Sequence, residues 1–392
     1  MTCEDETMRI IFYNIKDNVF LLKTYDNIVN HINIKTMKDG AILRKALSDK
    51  SIEILNYVPI KKKQEAIKEQ FKSAITYLGN SIDKNRIRTI YDISEIKQDD
   101  IYIAWYYFPS HMKILKDLKC KKVVMGQHFI LLPFNGDFSS MGVNWFVNQI
   151  DVSKNEFINY FFNLKNVNIM TLPYTFENRF KCKRDFRERK EKALSIGTIS
   201  TVNGKGYDIY IEYMNDICLQ PMRKIIYEKG SNKYIDVYNN FLFTMGYNNE
   251  INIHSKFSDY IKGKISDWKE AGQTKYYTFD MVEKYNEYMM CVCGEEKVEL
   301  PGIGFVECMA CGCAYIGLDH EMYTSLGLIP GIHYITYDGT YDDLINVIQY
   351  YQNNVDELEK IAIQGRKYIL KNFNRDVVMN KFFEKLKCLG EE

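Results

Sequence analysis

Two glutamates, Glu299 and Glu307, enclose a short glycine-containing stretch in the last third of the chain. A carboxylate accepts hydrogen bonds from adjacent hydroxyls, so this pair suits a polyhydroxylated ligand such as a sugar or a ribose. Between the two acids, Gly302 and Gly304 allow the backbone to approach a ligand closely. These residue types predict a sugar-binding site, and the alternative is that both glutamates are ordinary surface residues.

The elements around this stretch are predicted to be a strand, a turn and a helix. Residues 288–293 form an apolar run typical of a buried parallel strand, and a turn follows over 301–304. A helix is expected from residue 305 until Gly312, which is placed like a C′ residue, and a second strand over 314–316. Because free N–H groups at a helix N-terminus attract anions, the ligand is expected to carry phosphate.

The same residues resemble the signature of a known enzyme family. Glu299 and Glu307, with seven residues between them and the run Cys-Met-Ala-Cys-Gly-Cys-Ala-Tyr-Ile-Gly after them, are similar to the E-x7-E motif of retaining glycosyltransferases of the GT-B fold, family 4 type. The resemblance implies an α/β protein with two Rossmann-like parallel-sheet domains that face each other across a cleft.

Length and composition agree with two domains. The chain has 392 residues, of which 46% are hydrophobic and 26% charged, as in globular proteins. We expect an acceptor-side domain over residues 1–185, a nucleotide-sugar-binding domain over 193–372, and a helix over 373–392 that packs back on the first domain. The charged stretch 181–192 is the expected linker. A net charge of +1 argues against nucleic acid as a partner.

Hydropathy and the N-terminus predict where the protein acts. No apolar run reaches the roughly 18 residues of a membrane span, and the first residues are acidic. We therefore expect a cytoplasmic protein. The lysine-rich stretch over residues 61–78 is interpreted as a solvated helix face, and the alternative is a weak peripheral contact with the inner face of the membrane.

The resemblance implies a role for each residue of the turn. The ribose is expected on Glu307, the donor sugar on Gly302 and Ile303, and the diphosphate on Gly304 and Phe305 at the start of the helix.

Positions outside the turn complete the expected site. Lys205, in a polar loop over 199–206, matches the lysine with which the family binds the donor diphosphate, but Thr198 occupies the place of its partner arginine. Arg223, on a neighbouring helix, is the candidate replacement. His128 lies at a predicted strand end, where it can donate to a hydroxyl or an anion or be purely structural. The resemblance implies a catalytic role for it beside the transferred sugar, together with Glu299.

The predicted function is therefore glycosyl transfer. The donor is a nucleotide-diphosphate sugar, the acceptor a glycan or lipid-linked saccharide of surface polysaccharide biosynthesis, and the anomeric configuration is retained. No cofactor or metal is expected, because fixed positive groups stabilise the leaving diphosphate. The alternatives are another GT-B enzyme, such as a nucleotide-sugar epimerase, and a non-catalytic nucleotide-sugar-binding protein.

A cysteine cluster offers a competing site. Thiols at positions 291, 293, 308, 311 and 313 could hold zinc or an iron–sulfur centre. The first pair, however, lies in a predicted strand, whereas structural zinc sites prefer turns. Since cysteine also serves as a small buried residue, we interpret these residues as core and predict reduced thiols.

Overall fold

A computed structural model describes most of the chain as two compact units. The first unit comprises residues 1–153, 159–172 and 375–392, and the second comprises 154–158 and 173–374. The described residues are 7–13, 42, 45–46, 48–57, 87–105, 109–126, 136–202, 208–245 and 279–391. The helix expected over 61–78 lies outside them.

The first unit is built on a sheet of seven parallel strands. In chain order these are β1 (Met8–Tyr13), β2 (Ile52–Tyr57), β3 (Ile87–Ile90), β4 (Ile101–Trp105), β5 (Lys121–Met125), β6 (Trp145–Asn148) and β7 (Asn168–Thr171). Their order in the sheet is β3-β2-β1-β4-β5-β6-β7, so the strand order reverses between β1 and β4. Two short segments, Gly136–Asp137 and Phe162–Asn163, pair separately.

The second unit contains a parallel sheet of five strands. They are β8 (Lys190–Val202), β9 (Ile235–Met245), β10 (Tyr288–Val292), β11 (Ala314–Leu318) and β12 (Ile335–Tyr337). The order β9-β8-β10-β11-β12 reverses between β8 and β10. Both sheets are therefore doubly wound, which confirms the predicted Rossmann-like α/β fold of each unit.

The sequence predicts strand β10 well and the length of strand β8 poorly. All five residues of β10 are buried, as expected for a parallel strand covered by helices on both faces. β8 is longer than predicted, because β9 pairs with it as far as Val202. Residues 199–202, expected in a polar loop, are therefore strand.

Ten α-helices of the described residues accompany the two sheets. They are α1 (Pro109–Lys113), α2 (Glu156–Phe161), α3 (Asp208–Met214), α4 (Pro221–Lys229), α5 (Met281–Asn286), α6 (Gly304–Ala310), α7 (Glu321–Thr324), α8 (Tyr341–Asn353), α9 (Val355–Asn372) and α10 (Arg375–Glu391). Within the described part of the chain, no helix combines the length and the apolar character needed to cross a membrane.

The C-terminal helix α10 completes the core of the first unit. Its buried residues recur at helical spacing and pack against β1, β2, β4 and β5: Val378, Met379, Phe382, Phe383, Leu386 and Leu389. The last helix of the chain thus shares a hydrophobic core with the first strand.

The charged segment 181–192, expected to be a linker, lies inside the second unit. Arg187 forms ion pairs with Asp356 and Glu359 of α9, at 2.5 and 2.7 Å. The segment then continues directly into β8 from Lys190.

Replacing Phe382 by alanine tests the contribution of α10. Removing this buried ring leaves a cavity and should cost about 3–5 kcal/mol of stability. We expect peptide-resolved hydrogen exchange of β1 and β4 to become faster. The matched variant Glu384→Ala, at an exposed position of the same helix, should leave exchange unchanged. Unaltered protection of the strands in Phe382→Ala would show that α10 is not part of this core.

Candidate active site

A buried arginine occupies the point where the strand order of the second sheet reverses. Arg223, on α4, donates from Nη1 to the carbonyl of Thr198 at 2.8 Å and from Nη2 to that of Gly294 at 3.1 Å. Its Nε donates to the carbonyl of Cys293. These carbonyls belong to β8 and to the residues just after β10. In doubly wound sheets, ligands bind off the carboxyl ends of the strands at such a reversal.

Three glycines make room for this side chain: Gly197, Gly294 and Gly302. A Cβ atom at Gly302 would lie 2.6 Å from Arg223 Nη2, and one at Gly294 would lie 2.9 Å from its Cγ. The turn can carry no larger side chain at Gly302 while the guanidinium stays in place. Gly302 therefore allows the backbone of the turn to pack directly against the Arg223 guanidinium.

The charge of Arg223 is not neutralised by an ion pair with any described residue. The side chain is only 7% exposed. The partly buried Glu296 is near enough for the guanidinium to lower its pKa, but desolvation outweighs that effect and raises the pKa to about 7. A buried cation whose hydrogen bonds go to neutral carbonyls is suited to an anionic ligand.

The turn that carries Glu299 is held at several points. The amide of Glu299 donates to the Glu296 carbonyl at 2.9 Å, and that of Lys297 donates to Leu219 just before α4 at 2.6 Å. Asn155 Nδ2 donates to the Val298 carbonyl at 3.1 Å. Glu299 itself adopts φ +59°, the left-handed region that non-glycine residues rarely occupy. The surrounding contacts therefore hold the backbone of Glu299 in an unfavourable conformation.

Helix α6 begins at Gly304 and ends before Gly312, which has φ +89°, as the sequence predicted. The amide of Phe305, assigned to the diphosphate, already donates to the Gly302 carbonyl at 3.3 Å. The Phe305 ring is fully buried against Tyr323 and Phe373. Ile303, assigned to the donor sugar, is 45% exposed.

Glu307 lies one turn into α6 and is mostly desolvated. Burial, reinforced by the nearby Cys293, raises the pKa of its carboxyl to about 8, although Arg179 and a hydrogen bond from Tyr285 act in the opposite direction. The Tyr285 ring is buried. Glu307 is therefore protonated in most molecules at pH 7, which sequence analysis did not foresee.

A further buried acid, Glu295, was missed by sequence analysis. It follows β10 and accepts hydrogen bonds from the Leu318 amide at 3.0 Å, the Tyr323 hydroxyl at 2.8 Å and the Tyr337 hydroxyl at 3.3 Å. These bonds tie together the carboxyl ends of β10, β11 and β12. The feature of the sequence that could have indicated this acid is the pair Glu295–Glu296 after the apolar run of β10.

The structure brings some predicted residues together. Arg223 lies against Gly302. Gly304 lies against Cys293, because a Cβ atom at Gly304 would lie 2.5 Å from the Cys293 sulfur. His128 and Lys205 lie outside the described residues, so their roles remain predictions.

Comparisons with known proteins agree with this architecture. A family model described as glycosyl transferase-like matches residues 238–384, less than half of the chain. HepE of Anabaena, solved with UDP and glucose, has a TM-score of 0.50 at 12% identity and covers 97% of this chain and 100% of its own. No curated protein matches the sequence.

Two further solved structures have lower scores. A glycosyltransferase from Rickettsia africae has a TM-score of 0.46 at 11% identity and covers 97% of this chain and 98% of its own. Sucrose-phosphate synthase from Thermosynechococcus elongatus scores 0.45 at 9% identity, covering 97% and 99%.

The likeness to HepE shows the fold, which is GT-B, as the sequence predicted. The family match places a glycosyl transferase-like region in the part of the chain that carries Glu299 and Glu307. Together they support the predicted class of enzyme, a glycosyltransferase.

The variant Glu307→Gln tests the burial of this acid. Its folded pKa of about 8 exceeds the ordinary value of 4.5, so the stability from the bound proton is complete below pH 4.5 and is lost as pH rises through 8. Glutamine mimics the protonated form. We expect similar melting temperatures for both proteins near pH 5 and a higher one for the variant at pH 8, measured by thermal melts across this range.

The exposed Glu191 provides the control for this series. Glu191→Gln should follow the wild-type curve at every pH. If Glu307→Gln also runs parallel to wild type from pH 5 to pH 8, the carboxyl is not desolvated as described.

Proposed function

We propose that the protein transfers a sugar from a nucleotide-diphosphate sugar to a glycan or lipid-linked saccharide acceptor, with retention of configuration. In this proposal Glu307 binds the ribose, Gly302 and Ile303 contact the donor sugar, and Glu299 acts on the transferred group. The diphosphate is bound by Arg223, Lys205 and the first residues of α6. Surface polysaccharide synthesis remains the proposed setting.

The observation that carries the proposal is the position of Arg223. Sequence comparison with the family placed Thr198 where a diphosphate-binding arginine was expected, and the guanidinium of Arg223 lies on the carbonyl of that same residue. Arg223 from α4 therefore places a positive charge at the end of β8, where Thr198 stands in place of the arginine expected from the family. This supports Arg223 as the replacement.

The guanidinium retains donors for a ligand. Arginine has five N–H groups in a planar fork, and described carbonyls accept from three different nitrogens. In this proposal the second N–H on each terminal nitrogen donates to a phosphate oxygen. Charged hydrogen bonds of this kind are the stronger ones in proteins, which favours a diphosphate over a neutral ligand.

The conformation of Glu299 supports a role in the reaction. A left-handed backbone at a non-glycine residue costs of order 1 kcal/mol or more, and such residues cluster at functional sites. The strain is maintained by hydrogen bonds that involve Leu219 and Asn155, so the carboxylate is carried by a fixed turn. In this proposal, the fixed position of the Glu299 carboxylate lets it act on the sugar that is transferred from the donor.

The residues proposed to bind the diphosphate also give the reason why no cofactor or metal is expected. In the proposed mechanism Arg223 and Lys205 stabilise the charge that develops on the leaving diphosphate, the task that a divalent metal would otherwise perform. Transfer should then proceed in the presence of a chelator.

A donor panel tests the proposed function. UDP-, GDP- and ADP-sugars are compared by thermal shift, because a ligand that binds the folded state raises the melting temperature. We expect the sugars of one nucleobase to raise the melting temperature more than those of the other two. UDP-glucose is tried first, since HepE was solved with UDP and glucose.

The panel also separates the alternatives. Release of free nucleoside diphosphate only when an acceptor is present identifies a transferase. Release or isomerisation without acceptor points to an epimerase, and binding without turnover over many acceptors points to a binding protein. A panel in which no nucleotide sugar shifts the melting temperature contradicts the proposal.

Lys205→Ala and Arg223→Lys test the diphosphate contacts. Removing a charge-stabilising group commonly costs a few kcal/mol, so each variant should lose about two orders of magnitude in turnover. A lysine at position 223 keeps the charge but cannot serve three carbonyls and an anion. Lys229→Ala, at an exposed position of the same helix, is the control. Turnover is compared among folded proteins, and near-normal activity in either variant refutes that residue's role.

A further inference from the structure

Three cysteine sulfurs converge behind the turn of the candidate site. Cys291 lies in β10, Cys293 directly follows that strand, and Cys308 lies on α6. The three Sγ atoms lie within 4.8 Å of one another, and those of Cys291 and Cys293 are 3.7 Å apart. All three residues are at most 1% exposed. The two other thiols of the predicted cluster, Cys311 and Cys313, are not part of this group.

We propose that these three thiols bind a soft metal ion of the Cu(I) type in trigonal coordination. This inference is independent of the proposed function.

The sulfur triangle has nearly the size that coordination requires. Metal–thiolate bonds are about 2.3 Å long, so three sulfurs around a central ion lie roughly 4.0 Å from one another. In the structure, the sulfurs of Cys291 and Cys293 are 3.7 Å apart, and all three sulfurs lie within 4.8 Å of one another. Shifts of a few tenths of an ångström, within the reach of side-chain rotation, would complete the geometry.

The number of ligands selects the ion. Among the described residues, no fourth cysteine, histidine or carboxylate joins the group. Structural zinc is almost always bound by four ligands, whereas thiolates also select Cu(I). Full burial leaves no access for a water molecule to act as the fourth ligand of zinc. A three-sulfur site therefore favours Cu(I).

The surroundings can accommodate a charged centre. Gly304 gives the Cys293 sulfur its place against α6, because a Cβ atom at Gly304 would lie only 2.5 Å from Sγ. The Arg223 guanidinium donates to the Cys293 carbonyl and offsets part of the negative charge of the thiolates. The Cys308 sulfur lies 3.4 Å from the Phe305 carbonyl, to which its proton can be donated while the thiol is free.

A bound ion would join the two ends of the turn. Cys293 lies directly before Gly294, and Cys308 directly after Glu307. Coordination would thus link the end of β10 to α6 and restrain residues 294–307 between them. The consequence is a more stable second unit and a more rigid turn.

Metal loading of the full-length protein tests the proposal. The exposed thiols of Cys182 and Cys388 would bind copper unspecifically, so Cys182→Ser and Cys388→Ser are combined with Cys3→Ser as a background. This protein is incubated anaerobically with the acetonitrile complex of Cu(I) and desalted. We expect about one copper per chain, a thiolate-to-copper charge-transfer band and a raised melting temperature.

Matched cysteine variants identify the ligands. In the background protein, Cys308→Ala and Cys291→Ala should each abolish retention, whereas Cys313→Ala should retain copper. Cys313 is equally buried and close by, and its sulfur lies 3.0 Å from the Tyr285 carbonyl. Equal loss in all three variants, or no loss in any, overturns the assignment.

Two further measurements do not depend on how the variants fold. X-ray absorption of the copper-loaded background protein should show only sulfur neighbours at about 2.3 Å. Nitrogen or oxygen ligands in that spectrum overturn the proposal. In a parallel incubation, retention of Zn²⁺ in preference to Cu(I) overturns the choice of ion.

Discussion

The guanidinium of Arg223 links helix α4 to the carboxyl ends of two neighbouring strands of the second unit, β8 and β10. It reaches from α4 across the reversal of the sheet and satisfies carbonyls of Thr198, Cys293 and Gly294 at the ends of β8 and β10. Buried carbonyls at strand ends need donors, and an arginine fork supplies several at once. The adjacent glycine turn follows from this contact, since only a residue without Cβ fits beside the fork.

Desolvation determines the charge state of the acids at the same edge. Burial raises the pKa of Glu296 to about 7 and that of Glu307 to about 8, and it also raises that of Glu295. Near neutral pH the carboxyls of Glu296 and Glu307 are therefore protonated in a large fraction of molecules. A diphosphate that enters would meet a cation and few competing anions. The acids can then offer hydrogen bonds to hydroxyls instead of repelling phosphate.

Much of the local architecture could be predicted, because it depends on neighbouring residues. The apolar run of β10 and the glycine after α6 lie where the sequence placed them. Predictions were poorer where pairing partners decide the outcome. The end of β8 and the strand β9 were missed because parallel pairing between distant segments extends β8 to Val202. The charged segment 181–192 resembled a linker, but ion pairs with α9 hold Arg187 in the second unit.

By itself, the sequence determined the α/β class and the family resemblance, because these depend on residue type and short spacing. Only the tertiary structure decided that Arg223 lies on the Thr198 carbonyl, that Glu299 is held in a left-handed turn, and that three of the five clustered thiols converge. Each of these features joins residues that are remote in sequence or depends on how deeply a group is buried. Sequence spacing does not encode either property, because folding sets both through long-range packing.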